Sequence, residues 1–210
     1  MCVDWRERYE RAATRYAAGE TRELDERQLV QLANSAWAAG LSALMMGDRW
    51  DAWRWLRQAA ARYRESWDAG GAPDAWGRPI AAIKALLIAG DAGREHGLPD
   101  TSPLLAAQWA LDVGAAEAES PIGRYAAVLA FLVLDRDDEA AALIPTLGGD
   151  FPRDVADALA ALVHRDAEAY AEAASRIRRS FEERESHLED IPVPDTALAL
   201  DALAARRGLV

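Results

Sequence analysis

The hydrophobic positions of residues 47–70 recur at the spacing of an α-helix. The stretch reads GDRWDAWRWLRQAAARYRESWDAG, and its apolar positions are Trp53, Leu56, Ala60, Tyr63 and Trp67. Steps of three and four residues place these side chains on one face of one helix. Four of the chain's eight tryptophans lie in this stretch. We therefore predict that most of its aromatic rings belong to a core.

The same periodicity recurs near both ends of the chain. The first stripe consists of Trp5, Tyr9, Ala12 and Tyr16, and the second, within residues 166–188, of Tyr170, Ala174, Ile177, Phe181 and Leu188. Glycine and proline clusters separate segments of helical length. Valine and isoleucine, which favour strands, together number only 16. The pattern predicts an all-α protein of about ten helices without a strand.

Three segments have the pattern of a tight helix-turn-helix: LSALMMGDRWDAWRWL, LAFLVLDRDDEAAALI and LAALVHRDAEAYAEAA. Each begins with an apolar helix end, passes through a turn that contains aspartate, and continues as an amphipathic helix. An aspartate at such a turn accepts hydrogen bonds from the unpaired N–H groups of the following helix. We predict that the turn aspartates cap the second helix of each pair.

These segments resemble the tetratricopeptide-like family of stacked helix pairs, over about residues 22–188. The resemblance implies a right-handed array of antiparallel helix pairs, an α-α superhelix, and one domain over residues 1–210. The family's consensus of Trp, Leu-Gly, Tyr, Ala, Phe and Pro in a 34-residue unit is not matched cleanly in any copy. An irregular α-helical bundle is the alternative architecture.

The tail, residues 189–210, has a different pattern. Pro192 and Pro194 predict an extended connector, and Asp195 or Thr196 can cap a short last helix that packs back on the array as a terminal cap. The tail also resembles the closing segment of an all-helical family of immunity proteins from bacterial polymorphic toxin systems. The similar residues are Leu188-Glu189-Asp190, the Pro-Asp-Thr of 194–196 and the Ala-Arg-Arg-Gly of 205–208. That resemblance implies neutralisation of a toxin.

Net charge narrows the classes of partner. The chain carries a formal charge of −11, whereas nucleic-acid binding needs a basic surface that displaces counterions. No apolar run is long enough to span a bilayer, and the N-terminal stretch is charged and amphipathic, unlike a signal peptide. We predict a cytoplasmic protein that binds neither nucleic acid nor membrane, with a protein or peptide partner of basic character.

The residues around Trp55 leave two interpretations open. Trp55 lies about 160° around the helix from Trp53, and Gln58 and Arg62 lie on its side. In a stacked array this second strip contacts another helix; alternatively, it forms an exposed patch with an aromatic anchor, as at interface hot spots. The candidate binding residues are Trp55, Gln58, Arg62, Trp50 and Trp76. A homodimer that buries this patch is a third outcome.

No motif predicts a catalytic residue, a metal site or a cofactor. The sequence Asp135-x-Asp137-Asp138 coincides with the acid motif of one class of terpene cyclases, but it lies at a helix junction, where carboxylates cap and are solvated. A di-metal bundle needs Glu-x-x-His twice, and the chain contains none.

The favoured function is therefore non-enzymatic binding of a protein or peptide, as an adaptor, a regulator or an immunity-like protein. The alternative is a small helical enzyme or ligand-binding protein. Its pocket would be lined by the tryptophans at positions 37, 50, 53, 55, 67 and 76.

Overall fold

The computed structural model describes residues 3–20, 23–70, 72–94, 97 and 102–210, and these contain ten α-helices and no β-strand. The prediction of an all-α protein is confirmed. The helices are α1 (Trp5–Gly19), α2 (Glu26–Met45), α3 (Arg49–Asp68), α4 (Gly77–Gly93), α5 (Ser102–Asp112), α6 (Pro121–Val133), α7 (Asp137–Leu143), α8 (Arg153–His164), α9 (Ala167–Glu182) and α10 (Asp195–Arg206).

The chain forms two compact units. Unit 1 comprises Met1–Asp100 and Ser186–Val193, and unit 2 comprises Thr101–Glu185 and Pro194–Val210. Helices α1 to α4 lie in unit 1, and α5 to α10 lie in unit 2. Among the helices described, none is both long and apolar enough to cross a membrane.

In unit 1 each helix packs on the next one along the chain. Two glycines allow close approach. A Cβ at Gly40 of α2 would lie 2.7 Å from the Cγ of Leu56, and a Cβ at Gly93 of α4 would lie 2.7 Å from Trp53 Cδ1. Both distances are shorter than real Cβ contacts, so α3 sits against its neighbours only because these positions lack a side chain.

The predicted stripe of α3 faces this core. Leu56, Ala60 and Tyr63 are buried, while Trp53 and Trp67 at its ends are half-buried. In unit 2 the stripe of α9 is buried up to Ile177. Its predicted last member, Leu188, is exposed because α9 already ends at Glu182. The prediction for Leu188 was wrong: the apolar spacing continued past the end of the helix.

Two of the three predicted turn caps are confirmed. The Asp48 carboxylate accepts from the backbone N–H of Asp51 at 3.0 Å at the start of α3. Asp166 accepts from the N–H of Ala169 at 3.0 Å at the start of α9. These carboxylates satisfy donors that the first helical turn leaves unpaired.

The third predicted turn, between α6 and α7, has no aspartate cap. Arg136 occupies the N-cap position of α7 without a side-chain cap bond, and Asp135 lies in the left-handed region at φ 56°. Its carboxylate accepts from Arg207 Nη1 at 3.1 Å, and Asp137 accepts from Arg207 Nη2. The Arg207 side chain is only 2% exposed, and it also donates to the Leu132 carbonyl at 2.9 Å. The expectation that these aspartates cap the helix was wrong, because they anchor a buried arginine.

Helix α10 packs on α9 in unit 2, and Leu200 and Leu203 on α10 are buried. Its predicted start is corrected: Pro194 takes the N-cap position, so neither Asp195 nor Thr196 caps the helix. Proline there has no N–H that would need a partner, and its fixed φ suits a helix entry.

Candidate functional site

The predicted residues Trp55, Gln58 and Arg62 all face helix α1. The Trp55 ring meets Tyr16 edge-on at 5.2 Å and Tyr9 at 6.5 Å between centroids. Its Nε1–H donates to the Tyr9 hydroxyl at 3.3 Å. Of the two interpretations of this strip, the structure shows a contact with another helix, α1.

The Tyr16 hydroxyl is the centre of this contact. Gln58 Nε2 donates to it, and Arg62 Nε donates to it at 3.0 Å. Arg62 also donates to Glu65 at 2.6 Å and to Glu20 at 2.9 Å. Burial acts to lower the pKa of Arg62, but the hydrogen bonds to Glu65 and Tyr16 outweigh it and raise that pKa.

A second hydrogen-bond network between α1 and α3 lies about two helical turns earlier in both helices. The Tyr9 hydroxyl donates to the Asp51 carboxylate, which also accepts from Arg54 Nε at 3.1 Å. Burial acts to raise the pKa of Asp51, but the hydrogen bonds from Tyr9 and Arg54 lower it overall. Polar groups between α1 and α3 thus bind one another, as buried polar groups must. We call this α1–α3 contact the tyrosine junction; it consists of Tyr9, Tyr16, Trp55, Gln58 and Arg62.

The other two predicted residues lie elsewhere. Trp50 is 48% exposed and stacks on Trp53 at 5.0 Å with the ring planes 23° apart. Trp76 is buried and packs on Trp67 at 5.6 Å. The structure therefore brings Trp55, Gln58 and Arg62 together, and it places Trp50 and Trp76 apart from them in separate aromatic pairs.

Unit 2 contains an aromatic cleft of about 210 Å³. Four segments distant in the chain form it: the first turns of α6, the start of α8 with the residues before it, the end of α9, and the start of α10 with Pro194 before it. Its lining residues are Ile122, Tyr125, Phe151, Pro152, Asp154, Val155, Ile177, Ser180, Phe181, Arg184, Pro194, Thr196 and Ala197. Most of these side chains are apolar, so the cleft suits an apolar group.

Tyr125 supplies an unused hydrogen-bond donor in this cleft. The residue is 8% exposed, and its ring packs on Phe151 at 5.1 Å. Within the described ranges no group accepts a hydrogen bond from its hydroxyl. Burial and the nearby Asp195 carboxylate both raise the pKa of Tyr125, so the hydroxyl stays protonated. Tyrosine in a largely buried position usually has a hydrogen-bond partner for its hydroxyl, so this donor is available to a group that enters the cleft.

The rim of the cleft carries both apolar and charged groups. Ile122 is 48% exposed. The Arg184 guanidinium lies over the Phe181 ring, 5.2 Å from its centroid. Asp154 is bound to Arg176 at 2.6 Å. An exposed isoleucine beside aromatic rings, with polar groups around them, is the composition of an interface hot spot.

Unit 1 has a larger and more polar cavity of about 360 Å³. It is lined by Arg15, Gly19, Leu24, Gln28, Gln31, Leu32, Ser35 and Glu189, and Arg15 and Glu189 form an ion pair at 2.6 Å across it. A third cavity, of about 150 Å³, lies beside Arg207 in unit 2. None of these three cavities is lined by a tryptophan.

Sequence reasoning missed the cleft residues Tyr125, Phe151 and Ile122. Tyr125 is followed in α6 by eight apolar residues, 126–133, which offer its hydroxyl no side-chain partner, and that pattern was the available signal. In the part of the chain that is described, no three His, Cys, Asp or Glu side chains gather where a metal ion could bind. Comparisons with family models, with curated proteins and with solved structures find no match.

Proposed function

We propose that this protein binds a basic protein or peptide without catalysing a reaction, and that the aromatic cleft of unit 2 holds one side chain of that partner. The observation that carries the proposal is the cleft itself: an apolar hollow with an exposed Ile122 at its rim and a free tyrosine donor inside. Such a hollow matches an anchor side chain that is surrounded by weaker contacts.

The size of the cleft favours a side chain over a complete small molecule. Its volume is about 210 Å³, while typical small-molecule sites measure roughly 300–1,000 Å³. A cavity of about 150 Å³ accepts a benzene ring. The volume therefore matches one aromatic ring better than a complete drug-sized ligand.

The charge of unit 2 favours a basic partner. Its residues include 18 carboxylates and ten arginines. Glu182, Glu183 and Glu185 are exposed at the end of α9, beside the cleft residues Phe181 and Arg184. A helix C-terminus also favours positive charge. Lysine or arginine residues next to the anchor side chain would meet this negative end, and association should slow as salt rises.

This function agrees with the roles that the sequence predicts, namely adaptor, regulator or immunity-like protein. Helical arrays of the tetratricopeptide type commonly hold peptides, and we propose the same use for this chain. The alternative of a tryptophan-lined pocket has less support, because Trp50 with Trp53 and Trp67 with Trp76 form separate pairs.

The test uses the full chain and two synthetic peptides, Arg-Gly-Phe-Gly-Arg and Arg-Gly-Ala-Gly-Arg. Binding is followed by NMR titration of the backbone amides. The phenylalanine peptide should shift resonances of Ile122 and Phe151 and should bind at least about tenfold more tightly than the alanine peptide. Equal binding of the two peptides would refute a purely apolar anchor in the cleft.

A matched pair of variants locates the binding. Ile122→Asp places a charge at the rim and should weaken binding of the phenylalanine peptide about tenfold. Leu105→Asp is the control, since Leu105 is 72% exposed in the same unit and does not line the cleft. Equal losses in both variants would show that the peptide binds elsewhere, and an affinity independent of salt would remove the electrostatic part of the proposal.

A further inference from the structure

The Tyr125 hydroxyl favours a ligand that carries a polar group to pair with it in the aromatic cleft. Tyr125 lines the cleft, the residue is 8% exposed, and no described residue accepts a hydrogen bond from its hydroxyl. An all-carbon side chain bound in the cleft would shield the hydroxyl from solvent and leave it without a partner, which weakens binding. The ligand that suits this cleft therefore has an apolar body and a polar tip.

The dimensions of the cleft narrow the choice further. Phe151 and Phe181 offer ring surfaces, and the volume of about 210 Å³ exceeds the ~150 Å³ that accommodates benzene by little more than a substituent. Rings pack on such surfaces in offset or edge-on arrangements. One six-membered ring with a small polar group fits better than a two-ring indole.

The charge near Tyr125 determines which polar group at the end of the ligand suits the cleft. The Asp195 carboxylate acts on Tyr125 and opposes negative charge there. Most of the lining is apolar, and its one cation, Arg184, is exposed over the Phe181 ring. An anion beside Tyr125 and Asp195 would lose hydration and meet a like charge, so carboxylate and phosphate tips are disfavoured. A neutral hydroxyl suits the position, because it can both accept from Tyr125 and donate.

We infer that the cleft selects an unmodified tyrosine side chain of the partner, whose phenol hydroxyl pairs with the hydroxyl of Tyr125. Tyr125 then acts as a residue that determines specificity, since it favours tyrosine over phenylalanine. Phosphorylation of the partner tyrosine would abolish binding, because the added phosphate brings bulk and a negative charge that the Asp195 carboxylate repels. This inference rests on the proposed binding function and adds the identity of the anchor.

The test compares three peptides on the full chain: Arg-Gly-Tyr-Gly-Arg, its phenylalanine counterpart and its phosphotyrosine counterpart. The tyrosine peptide should bind about tenfold more tightly than the phenylalanine peptide, which corresponds to about 1.4 kcal/mol. The phosphotyrosine peptide should show no binding to the cleft. The Tyr125 ring resonances should shift with the tyrosine peptide, which reports the contact directly.

The variant Tyr125→Phe removes the donor and keeps the ring. In this variant the tenfold preference should fall to less than about twofold, mainly because the tyrosine peptide binds more weakly. A preference that survives in Tyr125→Phe, or equal affinity of the first two peptides for the native chain, would overturn the tyrosine assignment and leave the binding function intact. Failure of both peptides to outbind the alanine peptide would instead overturn the binding function.

Discussion

Tyr16 in unit 1 and Tyr125 in unit 2 are both buried tyrosines among other aromatic rings, yet their hydroxyls differ. The Tyr16 hydroxyl accepts from Gln58 and Arg62 and donates to Glu20 at 3.4 Å. The Tyr125 hydroxyl donates to no described residue and faces a cleft. The same side chain thus serves the fold in one unit and is available to a ligand in the other.

The contrast shows how aromatic clusters can be interpreted. In the tyrosine junction, ring faces and polar atoms are already engaged between α1 and α3, so the cluster stabilises helix packing. In the aromatic cleft, ring surface and a donor face open volume. Whether polar atoms are engaged separates the two cases better than the density of tryptophan, which is higher in unit 1.

The largest expected effect comes from Arg207, which anchors unit 2 away from the cleft. Arg207→Ala removes a guanidinium that binds Leu132, Asp135 and Asp137. The free energy of unfolding should fall by about 3 kcal/mol. Arg206→Ala, at an exposed position, should change it by less than about 0.5 kcal/mol. Urea denaturation measures both, and similar values would contradict the anchor.

The tyrosine junction can be tested with Trp55→Ala. Loss of the ring between Tyr9 and Tyr16 should lower the free energy of unfolding by about 2–3 kcal/mol, because the side chain is half-buried. Peptide binding in the aromatic cleft should not change. Trp50→Ala, at a 48% exposed position, should cost under about 1 kcal/mol. A Trp55→Ala variant of native stability that has lost peptide binding would reverse the roles of the two clusters.

High pH should weaken unit 2. Burial raises the pKa of Tyr125 and of Tyr170 above their ordinary value of 10.0, with Asp195 and Asp201 adding to the shifts. Below pH 10 both states keep these protons and stability is unaffected. Above pH 10 the unfolded state releases them first, so each tyrosine costs about 1.4 kcal/mol per pH unit. Denaturation at about pH 11 should show a loss of about 3 kcal/mol relative to about pH 9. The variant Tyr170→Phe should show about half of that loss.

The smallest effects compare the two tyrosines directly. Tyr16→Phe removes the acceptor of the partly buried Gln58 Nε2 and Arg62 Nε and should cost about 1–2 kcal/mol. Tyr125→Phe breaks no bond within the protein and should change the free energy of unfolding by less than about 0.5 kcal/mol. Thermal denaturation of the two variants measures the difference. A larger loss for Tyr125→Phe would mean that its hydroxyl has a structural partner.

The fold class followed from the sequence because helical periodicity depends on local spacing. The apolar stripe around Leu56 and Tyr63 was buried as predicted, and Asp48 and Asp166 capped as expected because capping involves only neighbouring residues. Asp135 did not cap the next helix. It binds Arg207 instead, which lies 72 positions away in the chain and could not be found from local spacing.

Only part of the candidate site could be predicted from the sequence. The sequence placed Gln58 and Arg62 beside Trp55, but it could not show that α1 covers them. The aromatic cleft is assembled from residues 122–125, 151–155, 177–184 and 194–197. Taken singly, each of these segments has the composition of ordinary core or turn. Their convergence is a property of tertiary packing that spacing along one helix does not contain.

Residues 186–193 belong to unit 1, although the chain on both sides of them belongs to unit 2. Within unit 1, Glu189 pairs with Arg15 at 2.6 Å and Asp190 pairs with Arg11 at 3.7 Å. A gene fragment that stops at codon 100 would therefore encode an incomplete unit, whose first helix lacks two counter-ions. To study unit 1 by itself, residues 186–193 should be added as a separate peptide to the fragment of residues 1–100.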